Sequence, residues 1–287
     1  MIHLSLIILI LIKEGYMIEK NIVACVIVRM KSVRLPKKAL IDLNGSPLIL
    51  QLIRRLKLAK NISKIVLCTS DHPDDSILLD KAKEWGVEGY AGSQSDVLSR
   101  LIDVSEIYKA DMVLRVTGDN PFTDAVNIDQ LIKHHIATSS EYTRTNRLPL
   151  GVTAEVMKTS MLAKLHNCMP DPNQSEYMSF FAFNPQLFHC EVLEPLASQD
   201  RPYYSLTIDY PNDLELARKI YTKLSIDSSI PSLDEVVSYL DQDRSYKSVE
   251  KNTLIKLPGD EVMKFSELIE MLDEKALEAS NVNAINQ

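Results

Sequence analysis

Ile22-Val-Ala-Cys-Val-Ile-Val-Arg-Met-Lys-Ser-Val-Arg-Leu-Pro-Lys-Lys38 is the stretch from which the rest of the chain can be laid out. Its first seven residues, Ile22 to Val28, are uniformly apolar and mostly β-branched, as in a strand covered on both faces. Arg29, Lys31, Arg34, Lys37 and Lys38 then bring five cations, with the Ser32 hydroxyl, to the end of that strand. In open α/β sheets, ligands lie outside the carboxyl ends of the strands. A cationic loop there, in a chain of net charge -7, fits a polyphosphate, because Arg offers a planar fork and Lys a mobile point charge. Pro36 stiffens the loop. With no glycine and no Gly-Lys-Ser/Thr, it is neither a Walker A loop nor a dinucleotide fingerprint. A solvated basic loop is the plainer alternative.

Further along, apolar runs alternate with helical periodicity. Leu48 to Ala59 reads as a helix capped by Ser46, and Ile65 to Thr69 as a strand. Pro73 to Glu84 is helical, with Ile77, Leu78 and Ala82 inward, and Val87 to Tyr90 is a short strand. Asp96 caps a helix from Val97 to Tyr108. Met112 to Val116 is a strand, and Val126 to Ala137 a helix whose His134 and His135 read as surface. The order β-α-β-α-β-α-β-α implies a doubly wound, mostly parallel sheet. Three polar clusters then share one edge: the cationic loop, Thr69-Ser-Asp71, and Asp119-Asn120.

Past Glu141 the pattern loosens. Thr143 to Gly151 reads as a polar loop and Val152 to Met157 as a strand carrying Glu155. Thr159 to Asn167 and Tyr177 to Phe183 are helical, and Phe188 to Leu193 alternates like an edge strand. Tyr204 to Ile208 reads as a last strand, followed by helices Leu214–Leu224 and Leu233–Leu240. A helix over Val262–Ala279 carries an apolar stripe that must find a partner, and docking on its own domain is the expectation.

The expected organisation is an N-terminal extension over 1–16, a nucleotide-handling domain over 17–250 and a C-terminal helical tail over 251–287. The apolar run Leu4–Ile12 is shorter than the roughly 20 residues a membrane span requires, and Met17 is the expected start of the compact unit. A pI near 5.5 excludes a general nucleic-acid binder. Cys25, Cys68, Cys168 and Cys190 include no CxxC pair, which suits a reducing cytoplasm.

Taken in order, five motifs resemble the cytidylyltransferase family of acidic-sugar activation. They are Arg29-x-x-Ser-x-Arg-Leu-Pro-x-Lys38, Thr69-Ser-Asp71, Gly92-Ser-x-x-Asp-Val-Leu-x-Arg100, Arg115-Val-Thr-Gly-Asp119-x-Pro and Thr207-Ile-Asp-x-Pro-x-Asp213. The nearest branch looks like the spore-coat polysaccharide biosynthesis protein F type, related to CMP-nonulosonate (acylneuraminate) and CMP-Kdo synthetases. The resemblance implies a Rossmann-like, GT-A-like nucleotidyltransferase fold and transfer of CMP from CTP to an acidic sugar, with release of pyrophosphate. It assigns Mg2+ to Asp119 and Asp209. It gives catalytic roles to Arg29, Lys38, Asp119 and Asp209. Nucleotide contacts fall to Arg29, Ser32, Arg34, Lys38, Thr69, Ser70, Asp71, Ser93, Asp96, Arg100 and Arg115. Plainer roles stand beside these: a turn for Thr69 to Asp71, a helix cap for Asp96 and Asp213, an exposed helix face for Arg100. Arg115, inside a strand, requires a partner if buried.

Glu155 and Glu176 fall on the acceptor side, where the sequence departs from the branch. Thr153 stands where an aspartate is expected, and Tyr177 where a histidine is. The departures imply an atypical sugar or weakened activity. The resemblance also implies a cytoplasmic homodimer, with residues between Glu141 and Leu196 reaching toward the partner. The tail lies past every matched motif, which implies that it stands apart from the site. Two alternatives are a nucleotide-sugar-dependent glycosyltransferase, disfavoured because Asp119-Asn-Pro lacks a second aspartate, and a non-catalytic nucleotide-binding subunit.

Overall fold

The computed structural model describes residues 20–225, 229–246 and 248–285. The extension over 1–16 lies outside the described residues. Strands β1 (Ile22–Ile27), β2 (Lys64–Ser70), β3 (Glu88–Gly92), β4 (Met112–Thr117), β5 (Tyr142–Thr145), β6 (Glu155–Lys158) and β7 (Cys190–Leu193) form one sheet in the order β3-β2-β1-β4-β6-β5-β7. Only β6 runs against the others, pairing antiparallel with both β4 and β5. The sheet reverses its winding between β1 and β4, so the loops that follow these two strands flank the crevice where α/β sheets bind ligands.

Alternate residues of β1 serve two cores, as the two-residue repeat of a strand requires. Ile22, Ala24 and Val26 face helices α1 (Leu48–Leu56), α2 (Ser76–Glu84) and α4 (Ala125–Thr138). Val23 and Cys25 face α3 (Val97–Ile107), α5 (Thr159–Cys168) and α6 (Met178–Ala182). A third core gathers Leu43, Phe122, Leu148 and Leu206 against α7 (Pro211–Leu224) and α8 (Leu233–Gln242). No described helix is long and apolar enough to cross a membrane.

Several readings of the sequence require correction. Pro47, not Ser46, occupies the N-cap of α1, and the Ser46 hydroxyl instead accepts from Arg54 Nη1 at 3.0 Å. Ile77 points outward. The expected loop after Glu141 begins with strand β5, whose polar Thr143 and Thr145 are buried between neighbours. Tyr204 to Ile208 forms no strand: Ser205 makes an isolated bridge with Leu150, and Ile208 N donates to the Asp119 carbonyl at 3.0 Å. Its alternating Leu206 and Ile208 are instead buried in the third core. Gly151 makes that contact possible: it has φ +90°, and a Cβ there would lie 2.3 Å from Thr207 N.

The tail also differs from expectation. A hairpin of β8 (Leu254–Lys256) and β9 (Val262–Lys264) precedes helix α9 (Phe265–Ile285), so Val262 is an exposed strand residue. The helix docks on its own chain, as expected: Phe265 and Ala279 are buried, and Leu272 and Ala276 pack on the second core.

His135, read as surface, is fully buried, with Nδ1 sharing hydrogen bonds with the Thr143 and Ser140 hydroxyls. Burial, then the nearby Lys158 and His134, push its imidazole down to about 3. The unfolded chain takes up that proton near 6.5 and the native chain does not. This stability is therefore complete above pH 6.5 and lost as the pH falls toward 3. One proton corresponds to about 1.4 kcal/mol lost between pH 7.5 and 5.5. Urea unfolding at the two pH values checks this, with His135→Gln expected to remove that part of the slope. An unchanged slope in the variant would assign the pH dependence elsewhere.

Candidate active site

The loop after β1 is anchored by a residue that the sequence reading passed over. Asp75, 2 % exposed, accepts from Met30 N at 2.6 Å and from the Ser70 hydroxyl at 2.5 Å. Its signal was present in Pro73-Asp-Asp75, an acidic turn directly after a strand end. Beyond Met30 the loop turns back on itself, and Leu35 N donates to Ser32 Oγ at 3.4 Å.

The turn that follows delivers Lys38 to the crevice. Its ammonium lies 3.2 Å from Asp119 Oδ2 and 2.9 Å from Asp209 Oδ1, so two aspartates 90 residues apart meet on one cation. Arg34 Nη2 adds a contact to Asp209 Oδ1 at 2.8 Å, and its guanidinium lies over the Tyr210 ring at 5.0 Å. The contact with Tyr210, opposed by burial and aided by Asp209, raises the Arg34 pKa. Gly118, between β4 and Asp119, permits close passage: a Cβ there would lie 2.8 Å from Val28 Cβ. Asp213 caps α7, its carboxylate accepting from Asp209 N at 2.9 Å and Tyr210 N at 2.8 Å.

The sheet edge beyond β2 carries the other candidates. Thr69 is fully buried, and its hydroxyl has no partner among the described residues. Asp71 is exposed and accepts from Gln94 Nε2 at 3.0 Å. Ser93 Oγ accepts from Asp96 N at 3.1 Å. Asp96 caps α3 through Ser99 N at 2.9 Å and also takes bonds from His166 and Ser175. Burial would raise its pKa, but these bonds, His166 first, hold it below the usual carboxylate value. The exposed face expected for Arg100 is corrected: Arg100 is 2 % exposed and donates to the Cys68 carbonyl at 3.2 Å, bracing the end of β2.

On the side that the resemblance gives to the acceptor, the part-buried Arg115 has a partner. Its Nη1 lies 2.7 Å from Glu155 Oε2, across the β4–β6 register. Glu155 also accepts from the Tyr142 hydroxyl at 2.5 Å and Ser179 Oγ at 2.9 Å. Burial pushes its carboxyl up, but Arg115, Arg144 and these two hydroxyls outweigh that and hold it low. Glu176 sits nearby, its carboxylate 3.6 Å from Arg29 Nη2 and its carbonyl 3.4 Å from Arg115 Nη2. The Arg115–Glu155 pair borders a cavity of about 180 Å³, together with Thr117, Asn120, Thr153 and Arg144. Leu268, Met271, Leu272 and Lys275 of α9 line the same cavity.

Asp119 and Asp209 are the carboxylates that the resemblance assigns to a divalent cation, and both are bound to the Lys38 ammonium. Among the described residues, no cluster of three or more His, Cys, Asp or Glu could hold a metal ion by itself. Magnesium commonly uses one or two carboxylates and completes its shell with phosphate and water. Asp119 and Asp209, brought together on Lys38, match that pattern.

The chain is similar to known proteins in sequence and in fold. The family model described as cytidylyltransferase matches residues 23–229. The spore coat polysaccharide biosynthesis protein SpsF of Bacillus subtilis is 32% identical over 68% of this chain and 84% of its own length. The 3-deoxy-manno-octulosonate cytidylyltransferase of Geobacter sulfurreducens is 30% identical over 39% of this chain and 44% of its own length. A solved cytidylyltransferase from Leptospira borgpetersenii superposes with a TM-score of 0.71 at 23% identity, covering 80% of this chain and 96% of that one. The fold it shares with this chain is the doubly wound sheet described above. With the family model spanning the crevice from β1 through α7, the chain belongs to the cytidylyltransferase family.

Proposed function

We propose that the chain transfers CMP from CTP to a hydroxyl of an acidic sugar, releasing pyrophosphate, in a pathway that builds surface glycans. The observation that carries this reading is the meeting of Arg34, Lys38, Asp119 and Asp209 where the loops after β1 and β4 face each other. The related proteins named for spore coat polysaccharide and 3-deoxy-manno-octulosonate support the choice of acceptor class.

In the reaction, the acceptor oxygen forms a bond to the α-phosphorus while the bond from that phosphorus to the bridging oxygen of the leaving pyrophosphate breaks. The hydroxyl proton passes to solvent water as the new O–P bond forms. Arg29, exposed at the start of the cationic loop, with Arg34 and Lys38, would bind the triphosphate and stabilise the charge growing on the pyrophosphate. Asp119 and Asp209 would hold Mg2+. When bound, the metal supplies neutralisation of phosphate charge and polarisation of the α-phosphorus. Ser32, Thr69, Ser70 and Asp71 line the edge assigned to the nucleotide. Ser93, Asp96 and Arg100 support that edge through the hydrogen bonds described above. Arg115, Glu155 and Glu176 face the acceptor. A homodimer built through residues 141–196 belongs to the same reading.

Pyrophosphate release with each of the four NTPs, Mg2+ and a panel of sugar acids tests it. Turnover is expected with CTP in strong preference to the other three. Equal rates with ATP, or release with neutral sugars alone, would overturn it.

A further inference from the structure

Helix α9 begins at Phe265, well past the family-matched residues that end at 229. It nevertheless supplies one wall of the acceptor-side cavity, through Leu268, Met271, Leu272 and Lys275. The wall is fixed from both sides. Asn146 Nδ2 donates to the Leu272 carbonyl at 2.9 Å, and Arg147 Nη1 lies 3.0 Å from Asp273 Oδ2. Asn283 Nδ2 reaches the Cys190 carbonyl at 3.0 Å, and Phe265 meets the Tyr203 ring edge-on at 5.9 Å. Lys275 Nζ donates to the carbonyls of Phe183 at 2.8 Å and Phe180 at 3.2 Å, which holds its ammonium at the cavity edge.

The cavity is unbalanced in charge. Arg115, Arg144 and Lys275 face it with Glu155 as the one carboxylate among its lining residues, and Glu155 is bound to Arg115. Burial, then the proximity of Arg144, lower the Lys275 pKa, as expected for cations facing one another across a small space. Three buried polar atoms on the lining have no hydrogen-bond partner among the described residues: Arg115 Nε, Arg144 Nε and Asn120 Oδ1. Asn120 is itself 9 % exposed. Buried polar groups of this kind are ordinarily satisfied by protein or ordered water, so the lining offers two donors and one acceptor that the described residues leave unused. An anion answers the excess charge, and the α9 leucines and methionine answer an apolar flank. At about 180 Å³ the space is smaller than whole-ligand pockets of about 300–1,000 Å³. It suits one end of a sugar, not an oligosaccharide.

We propose that α9 is a specificity element of the acceptor site. Arg144 and Lys275 receive a carboxylate of the acceptor, while Leu268, Met271 and Leu272 contact a deoxy or acyl substituent beside it. This inference rests on the acceptor class proposed above and adds which part of the chain selects within that class.

Binding measurements test it without depending on turnover. Calorimetry would follow a panel of 3-deoxy and N-acylated sugar acids, and their methyl esters, on the full-length wild type and on Lys275→Met, Lys275→Arg and Met271→Trp. At least one acid is expected to bind the wild type and to lose roughly tenfold or more in affinity in Lys275→Met, the cost of a lost charged hydrogen bond. The preference for acid over ester should shrink in Lys275→Met and return in Lys275→Arg, a pattern that simple loosening of the helix would not produce. Met271→Trp should exclude the acylated acids by filling the space. CTP affinity should be unchanged in every variant. Unchanged acid affinity and acid-to-ester preference across the variants, or no acid binding by the wild type, would overturn the inference. Selective acid binding with no CTP binding would instead leave the α9 assignment standing and defeat the cytidylyltransfer reading.

Discussion

Asp209→Asn is expected to lower kcat by about 10²–10³-fold, the scale seen when one preorganised electrostatic group is removed from an active site, with the fold intact. The side chain is nearly isosteric, and the backbone at this position is held independently of it, through Asp213 and the N-cap of α7. What changes is charge. Lys38 and Arg34 both converge on Asp209 Oδ1, and an amide leaves them balanced by Asp119 alone. It also leaves one carboxylate where magnesium would use two. The same substitution at Asp119 should act in the same direction. Steady-state pyrophosphate release, with melting temperature as the fold control, checks both. A kcat within a few-fold of wild type in a folded Asp209→Asn protein would show that the two aspartates do not serve the chemistry.

Glu155→Ala is expected to destabilise the protein by about 3–5 kcal/mol, the range for breaking a buried ion pair from one side. Glu155 is 6 % exposed and joins Arg115, Tyr142 and Ser179 at one carboxylate. Truncation leaves the Arg115 guanidinium, with Arg144 nearby, in a buried setting without its counterion. Because the folded Glu155 pKa is held below its ordinary value of 4.5, its stabilisation is complete above about pH 4.5 and lost only as the pH falls through the folded value. The deficit in Glu155→Ala should therefore persist across neutral pH, unlike the His135 effect, which begins at 6.5. The double variant Arg115→Met with Glu155→Leu should recover much of the loss, since apolar replacement of a buried pair is often neutral. Urea unfolding of the single and double variants checks this. A loss under about 1 kcal/mol in Glu155→Ala would mean that water, not the protein, balances Arg115.

Much of the fold was legible because its central strands carry one dominant signal. The runs of β1, β2 and β4 are covered on both faces, so apolarity alone marks them, and Asp96 announced α3 as its cap. Elements whose burial comes from distant neighbours were not legible. Strand β5 reads as a loop because Tyr142-Thr-Arg-Thr145 is polar, yet β6, β7 and α4 enclose it. Tyr204 to Ile208 has strand-like alternation, but its apolar side chains serve helices, and it pairs along no strand of the sheet. His135 and Arg100 were assigned to surfaces because helical spacing gives a face, not what covers it. In the site, the cationic loop and the two aspartates stood out through position and motif. Arg144 and Lys275 did not, because each gains its place from a contact across more than 30 residues of chain.

The anchoring of Met30 and Ser70 on one buried carboxylate has a mechanical consequence. The loop that would grip the triphosphate and the strand end that would meet the nucleoside share Asp75 as a common fulcrum. Neither Met30 nor Ser70 can slide without breaking its bond to Asp75. On the proposed function, the pair works as a caliper of fixed span, measuring the length from base to terminal phosphate. A shorter ligand would then meet a loop whose root at Met30 stays where Asp75 holds it.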